Sequence, residues 1–312
     1  MTIVQLESLN ISKDLQKKYQ DYFKSLGHEL IIYEKSEDVN ELKRRVKDAE
    51  VLIITNSPLS NEVLDSAPNL KYVDIAFTGI NHVDRDYLLK RNILVSNAKG
   101  YATTAVKELW FGLVFNLLRF IKEGESHRRN GEIFSTYQGS LLSGKTVGII
   151  GLGAIGLSIA KALEVFNVQV ITYNRNIKKV KGIEDVTLEE LLKRSDIVSL
   201  SLPLNNSTYH LLDKTKLSLL KPSSYLINLA RGEIIDEKAL YDLLINNKIK
   251  GAALDVYSSE PPLDINNPLL KTTNTILTPH IAYNSIESME DRAKIVYDNL
   301  DNYLNNTPIN LV

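Results

Sequence analysis

The chain has 312 residues, of which 44% are hydrophobic and 24% charged, a soluble globular composition long enough for two domains of ordinary size. Lysine plus arginine (37) nearly cancels aspartate plus glutamate (38), so no broad basic face is available for nucleic acid, although a local cation could still hold a small anion. There is no cysteine, which excludes disulfides, thiolate nucleophiles and cysteine metal sites, and no metal centre is expected. The N-terminus lacks a basic segment followed by an apolar one. No stretch reaches the roughly 18 apolar residues of a membrane span, so no membrane partner and a cytoplasmic location are expected.

Short apolar runs at 3–6, 29–33, 51–55, 72–76 and 93–96 read as strands, with helical patterns at 13–26, 40–48, 61–67 and 84–91 between them. Such alternation predicts parallel β-α-β units with both sheet faces covered. Segment 103–122 is apolar along most of its length and predicts one long buried helix. Strands are next expected at 145–150, 168–173, 197–202, 224–228, 251–255 and 275–277, with a helix at 155–166. The closing amphipathic pattern at 285–304 is expected to pack back on the first domain. The fold class is thus α/β, with two Rossmann-like, doubly wound parallel sheets. Residues 1–99 with 285–312 would form a flavodoxin-like substrate domain and 100–284 a dinucleotide-binding domain. A cleft between them is expected to hold the ligands, which in such folds lie at the carboxyl ends of the strands.

Gly151-Leu152-Gly153-Ala154-Ile155-Gly156 directly follows the strand pattern Thr146–Ile150 and opens a helix. The hexapeptide alone is a weak signal, but this strand-turn-helix context is the one a dinucleotide requires. Gly151 permits the tight turn, Gly153 lets backbone approach a diphosphate, and Gly156 allows close packing of helix on strand. At the end of the second strand, Asn174 stands where an NAD enzyme usually carries an acid for the ribose hydroxyl. Arg175 follows, with Lys178, Lys179 and Lys181 close behind. The missing anion and the added cations favour a 2′-phosphate, hence NADP(H), with NAD(H) still possible.

Three polar residues fall at expected strand ends: Arg231 after Asn228-Leu229-Ala230, Glu260 before Pro261-Pro262, and His280 in Thr278-Pro279-His280-Ile281-Ala282. Reducing a ketone needs a hydride on carbon and a proton on oxygen. Histidine suits the proton, because its ordinary pKa lies near neutrality. A carboxylate such as Glu260 would favour the imidazolium and fix its tautomer. A planar guanidinium such as Arg231 can bind a substrate carboxylate while polarising the carbonyl beside it. His28, His82, His127 and His210 have no such setting and read as ordinary surface or core histidines.

In the order and spacing of these segments the chain resembles the D-isomer-specific 2-hydroxyacid dehydrogenases along nearly its whole length. The resemblance implies hydride transfer between NAD(P)H and C2 of a small 2-keto or 2-hydroxy acid, of glyoxylate or hydroxypyruvate type. It implies Arg231, Glu260 and His280 as the catalytic three, with His280 as the acid/base. It further implies that Phe77, Thr78 and Gly79 lie at the substrate carboxylate and Thr104 near the cofactor phosphates. Leu202, Pro203 and Thr208 would form the adenosine-side loop, with Ala230, Asp255 and Ala282 around the nicotinamide. A homodimer is expected by the same analogy.

Tyr283 stands where many members carry glycine, and Tyr101 is a second candidate to line the pocket; together they suggest a small or apolar R-group. Two other readings stay open. One is a dinucleotide-sensing, corepressor-like binding protein, and the other a phosphoglycerate dehydrogenase without a regulatory domain. Formate oxidation is disfavoured, because Glu260 stands where that activity uses glutamine.

Overall fold

Four-residue runs rich in valine and isoleucine, fit for a pleated surface covered on both faces, build the first sheet. The computed structural model describes residues 1–312 except 56, 58, 81, 133–137, 177–178 and 260–262. The chain divides into two units, Met1–Ala102 with Asn284–Val312, and Thr103–Tyr283.

The first unit runs β1 (Thr2–Gln5), α1 (Lys13–Ser25), β2 (Glu29–Ile32), α2 (Val39–Val46), β3 (Val51–Ile54), α3 (Asn61–Asp65), β4 (Tyr72–Ile75), α4 (Arg85–Lys90) and β5 (Leu94–Asn97). The strand order is β2-β1-β3-β4-β5, and every neighbouring pair is parallel. This is the flavodoxin-like order, whose direction reverses between β1 and β3. The central strands β3 and β4 are buried at every position. Each helix starts on a side-chain cap: Ser12, Asp38, Ser60 and Asp84 accept backbone N–H groups of the first turns of α1 to α4. Such oxygens satisfy donors that have no partner within the helix.

The second unit contains α5 (Thr103–Arg119), α6 (Ile121–Arg129), β6 (Thr146–Ile150), α7 (Ala154–Leu163), β7 (Gln169–Tyr173), β8 (Ile183–Asp185), α8 (Leu188–Arg194), β9 (Ile197–Leu200), α9 (Lys214–Leu217), β10 (Tyr225–Asn228), α10 (Glu237–Ile245), β11 (Gly251–Leu254) and β12 (Thr275–Leu277). Its sheet runs β12-β11-β10-β9-β6-β7-β8 and is again parallel throughout. The order reverses between β6 and β9, which makes their carboxyl ends the switch point of a Rossmann sheet.

The single helix expected at 103–122 is two. Its buried stripe of Val106, Trp110, Leu113, Val114, Leu117 and Leu118 stops at Leu118, and α6 buries nothing. Between them Phe120 turns left-handed (φ 54°), and the Asn116 side chain accepts the Lys122 N–H at 3.0 Å. Helices α8 and α10 were not anticipated, although Thr187 with Glu190 forms a capping box and Asp236 caps α10. No helix among the described residues is long and apolar enough to cross a membrane.

The last helix, α11 (Ile286–Leu304), belongs to the first unit. Its inward stripe of Met289, Arg292, Ala293, Val296, Tyr297 and Leu300 has helical spacing. Tyr297 Oη donates to Gln5 Oε1 at 2.8 Å, and the Tyr303 ring stacks on Tyr72 with centroids 4.2 Å apart. Asn299 Nδ2 donates to Asp74 Oδ1 at 3.1 Å. Asp74 is 0% exposed, and burial pushes its carboxyl up to about 8, opposed by the Asn299 hydrogen bond.

Between about pH 4 and pH 8 the unfolded chain releases the Asp74 proton while the folded chain keeps it. This group therefore makes stability fall as pH rises, by at most about 1.4 kcal/mol per pH unit. In Asp74→Asn the slope should vanish. The stability of the variant relative to the parent, read from urea melts, should increase steadily from pH 5 to pH 8. A difference independent of pH would mean that Asp74 is ionised in the fold.

Candidate active site

At the switch point of the second sheet, Gly151 takes φ 95°. A Cβ there would lie 2.5 Å from Ser201 O and 3.0 Å from Leu202 Cβ, so the turn after β6 runs hard against the loop after β9. A Cβ on Gly156 would stand 2.2 Å from Gly151 O; its absence lets the first turn of α7 press on the strand end. Gly153 differs. Among the described residues nothing lies within 4 Å of where its Cβ would be, and as the N-cap of α7 it offers no side-chain hydrogen bond. The helices of the first sheet begin on serine or aspartate, whereas α7 begins bare. Its first N–H groups and dipole are left to an anion approaching from the open side.

The turn is tied to β7 by a short relay. Leu152 N–H donates to Asn174 Oδ1 at 2.6 Å, Asn174 Nδ2 donates to Thr172 Oγ1 at 3.1 Å, and Thr172 Oγ1 donates to Ile149 O at 2.9 Å. Asn174 thus combines a neutral side chain with a scaffolding duty that its sequence position did not reveal. Arg175 and Lys179 are exposed, and Arg175 has no ion pair among the described residues; Lys178 lies outside them. Thr208 Oγ1 donates to Pro203 O at 2.7 Å and accepts the Asn205 N–H at 2.8 Å, closing the loop that follows Leu202. Thr104 is exposed in the first turn of α5.

Three neighbouring strands, β10, β11 and β12, carry the polar residues at their carboxyl ends. Buried Asn228 ends β10; its Oδ1 accepts the Ala230 N–H at 3.0 Å and its Nδ2 donates to Arg231 O at 2.9 Å. This pins the loop that carries Arg231. That side chain is partly buried, with Nη1 donating to Ala230 O at 2.6 Å. At Gly232 a Cβ would fall 1.9 Å from the Tyr257 carbonyl carbon, so the Arg231 loop and the segment after β11 meet backbone to backbone.

Asp255 follows β11 and is 0% exposed. Its Oδ1 accepts from Thr278 Oγ1 at 2.5 Å and from Ile281 N–H at 2.9 Å, and its Oδ2 from Ala282 N–H at 2.8 Å. The donors lie on both sides of His280. That residue adopts φ 52°, a conformation uncommon for residues other than glycine and costing about 1 kcal/mol or more. The half-buried imidazole meets the Tyr283 ring edge-on, with centroids 5.6 Å apart. Tyr257 Oη donates to Thr278 O at 3.0 Å, bracing the same loop. A carboxylate offers about four acceptor sites; the loop uses three, so the expected role of Asp255 near a nicotinamide is joined by that of holding the histidine loop. Ala230 and Ala282 lie in these two loops. Glu260, expected beside His280, lies outside the described residues with Pro261 and Pro262.

In the first unit, Phe77, Thr78 and Gly79 follow β4. Phe77 and Tyr101 are buried, their ring centroids 6.1 Å apart. Asn97 Nδ2 donates to Thr78 O at 2.8 Å, which orients that turn. Asn228 and Asn97 received no role from sequence, although each is an amide ending a strand, a recurrent place for a side chain that satisfies the next turn.

Residues 111–282 match the D-isomer specific 2-hydroxyacid dehydrogenase NAD binding domain. The chain is 38% identical over 271 residues to a glyoxylate reductase of Thermofilum pendens, covering 83% of this chain and 80% of that protein. Among solved structures it resembles an acyclic imino acid reductase (Bsp5) in complex with NADPH and D-Arg, at a TM-score of 0.91, 31% identity and full coverage of both chains. It also resembles the D-lactate dehydrogenase of Aquifex aeolicus complexed with NAD and lactic acid, at a TM-score of 0.85 and 29% identity, covering 98% and 96% of the two chains. The chain belongs to the D-isomer-specific 2-hydroxyacid dehydrogenase family. It is an oxidoreductase of that type, with a nicotinamide dinucleotide as cofactor.

Asp255→Asn tests the histidine loop. An amide presents one acceptor oxygen, so an N–H of the loop would face an NH2 group. Loss of hydrogen bonds to a buried charge should lower stability by about 2–3 kcal/mol in denaturant melts and depress turnover. Parental stability in this variant would show that the loop holds itself.

Proposed function

We propose that the chain reduces small 2-keto acids, of the glyoxylate or hydroxypyruvate kind, to D-2-hydroxy acids, with NADPH as the preferred donor and a homodimer as the working form. The observation that carries the reading is the row of strand ends: Arg231 after β10 and His280 after β12, the latter held by Asp255 after β11. The glyoxylate reductase among its relatives agrees with it.

The cofactor fits the residues present. The bare start of α7 and the open side of Gly153 suit a diphosphate, and Gly151, Ala154, Ile155 and Gly156 shape that turn. Thr104, Leu202, Pro203 and Thr208 belong to the same binding surface in this reading, and Ala230, Asp255 and Ala282 to its nicotinamide end. When bound, the cofactor supplies the hydride for C2. Arg231 grips the substrate carboxylate and draws electron density from the adjacent carbonyl. His280 donates its proton to the carbonyl oxygen as negative charge develops there. Glu260 is the carboxylate partner of the imidazole in this reading, by resemblance to the family. Thr78 and Gly79 offer backbone N–H groups to the carboxylate, while Phe77, Tyr101 and Tyr283 bound the R-group.

Preference for NADPH rests on neutral Asn174 and exposed Arg175. Asn174→Asp keeps an acceptor for the Leu152 N–H and adds a charge that repels a 2′-phosphate. It should shift the NADPH-to-NADH ratio of kcat/KM toward NADH by about tenfold or more, the size of one charged hydrogen bond. A parental enzyme that prefers NADH would overturn the preference.

His280→Ala should cut kcat for glyoxylate or hydroxypyruvate by about a hundredfold or more, with cofactor affinity nearly kept. Near-normal turnover would remove His280 from the mechanism. Cofactor binding without turnover of any 2-keto acid would instead favour a sensor.

The likeness to the imino acid reductase supports a second reading, reduction of a 2-imino acid by the same residues. Product analysis with and without added amine separates the two: an amino acid product would favour the second.

A further inference from the structure

The first unit buries a cation to which the scheme above gives no task. Arg292 lies on the inward stripe of α11 and is 3% exposed. Its Nη2 donates to Leu9 O at 2.8 Å, and its buried Nε has no acceptor among the described residues. Among the described residues no carboxylate forms an ion pair with it. The guanidinium stands 5.8 Å from the centroid of the Tyr101 ring, and that ring meets Phe77.

The surroundings locate the charge in the fold. Leu9 is on the segment after β1, Phe77 follows β4, and Tyr101 follows β5. All three segments leave the carboxyl edge of the parallel sheet, the first at its reversal between β1 and β3 and the other two from the neighbouring strands β4 and β5. Ligands of open α/β sheets bind at that edge. As a packing element alone, an arginine here is a poor choice. A buried charge without a counter-ion costs several kcal/mol, and an apolar residue of similar volume would fill the stripe at lower cost.

We propose that Arg292 recognises a second anionic group on the substrate, the distal carboxylate of a dicarboxylic 2-keto acid. The inference rests on the 2-keto acid reading given above and extends it from monoacids such as glyoxylate to diacids. One guanidinium balances one carboxylate, whereas a phosphoester brings about −1.5 to −2 of charge. The Tyr101 face steadies the cation, and Nε has a donor ready for an oxygen. Tyr101 then does more than narrow the pocket, and in this reading a short acidic R-group is accepted beside the small or apolar one that the sequence suggests.

The test compares kcat/KM within pairs matched in chain length: 2-oxoglutarate against 2-oxopentanoate, and oxaloacetate against 2-oxobutanoate. The parental enzyme should favour the diacid of at least one pair by about tenfold or more. Arg292→Met, which keeps volume and removes charge, should erase that ratio, and Arg292→Lys should keep part of it. A purely structural arginine would move both members of a pair alike and leave the ratio unchanged, which would overturn the proposal. So would a parental enzyme that favours the monoacids. If the methionine variant does not fold, the parental ratio and the lysine variant decide the matter. Failure to turn over any 2-keto acid would remove the reaction itself, a result distinct from turnover that ignores the second carboxylate.

Discussion

The site in the second unit depends on one buried anion. Asp255 takes hydrogen bonds from Thr278, Ile281 and Ala282, on both sides of His280. A charged acceptor buried away from water holds its donors far more firmly than an exposed one would. That firmness sustains a left-handed backbone at a histidine, which would otherwise relax to a commoner conformation. An imidazole on such a loop has little conformational freedom left to lose, which is the preorganisation that the proton transfer proposed for it calls for.

The same economy shapes the nucleotide turn. Side-chain caps are spent where a helix end needs satisfying, and the cap is withheld at α7. Asn174 meanwhile engages Leu152 N–H, which steadies the turn without adding negative charge. Close backbone approach at Gly151 and Gly232 holds the loops of neighbouring strands together, and at Gly156 it holds α7 on its own turn. The loops that carry the candidate site residues therefore rest on backbone and buried side chains. Surface ion pairs such as that of Lys17 with Asp21 add little, being exposed and screened.

Buried polarity in the first unit follows another logic. Asp74 avoids the cost of a buried charge by keeping its proton, with Asn299 as donor to one oxygen. Arg292 has no comparable escape, because a guanidinium stays protonated at any ordinary pH. A carboxyl and a guanidinium in one unit thus meet burial differently: the first gives up its charge, and the second keeps it.

The alternation of strands and helices, the glycine turn after β6 and the polar residues after β10 and β12 were all legible in the amino-acid order. Each depends on local rules: periodicity of apolar residues, conformational freedom at glycine, and chemistry proper to one residue type. The break at Phe120, the capped helices α8 and α10, and the relay through Asn174 were missed, because propensity and pattern are weak where packing decides. Asp255 shows the boundary best. Its place after a strand marked it as part of a site, but its grip on residues 278–282 exists only once β11 and β12 lie side by side. Arg292 shows it as well. In the sequence it is one charge on an amphipathic helix, and only the fold of α11 against the loops after β1 and β5 takes it out of water. Sequence thus determined which groups this protein owns and which local shapes they adopt. Tertiary structure decided which of them are buried, and burial is what turns an ordinary charge into a clamp or a binding group.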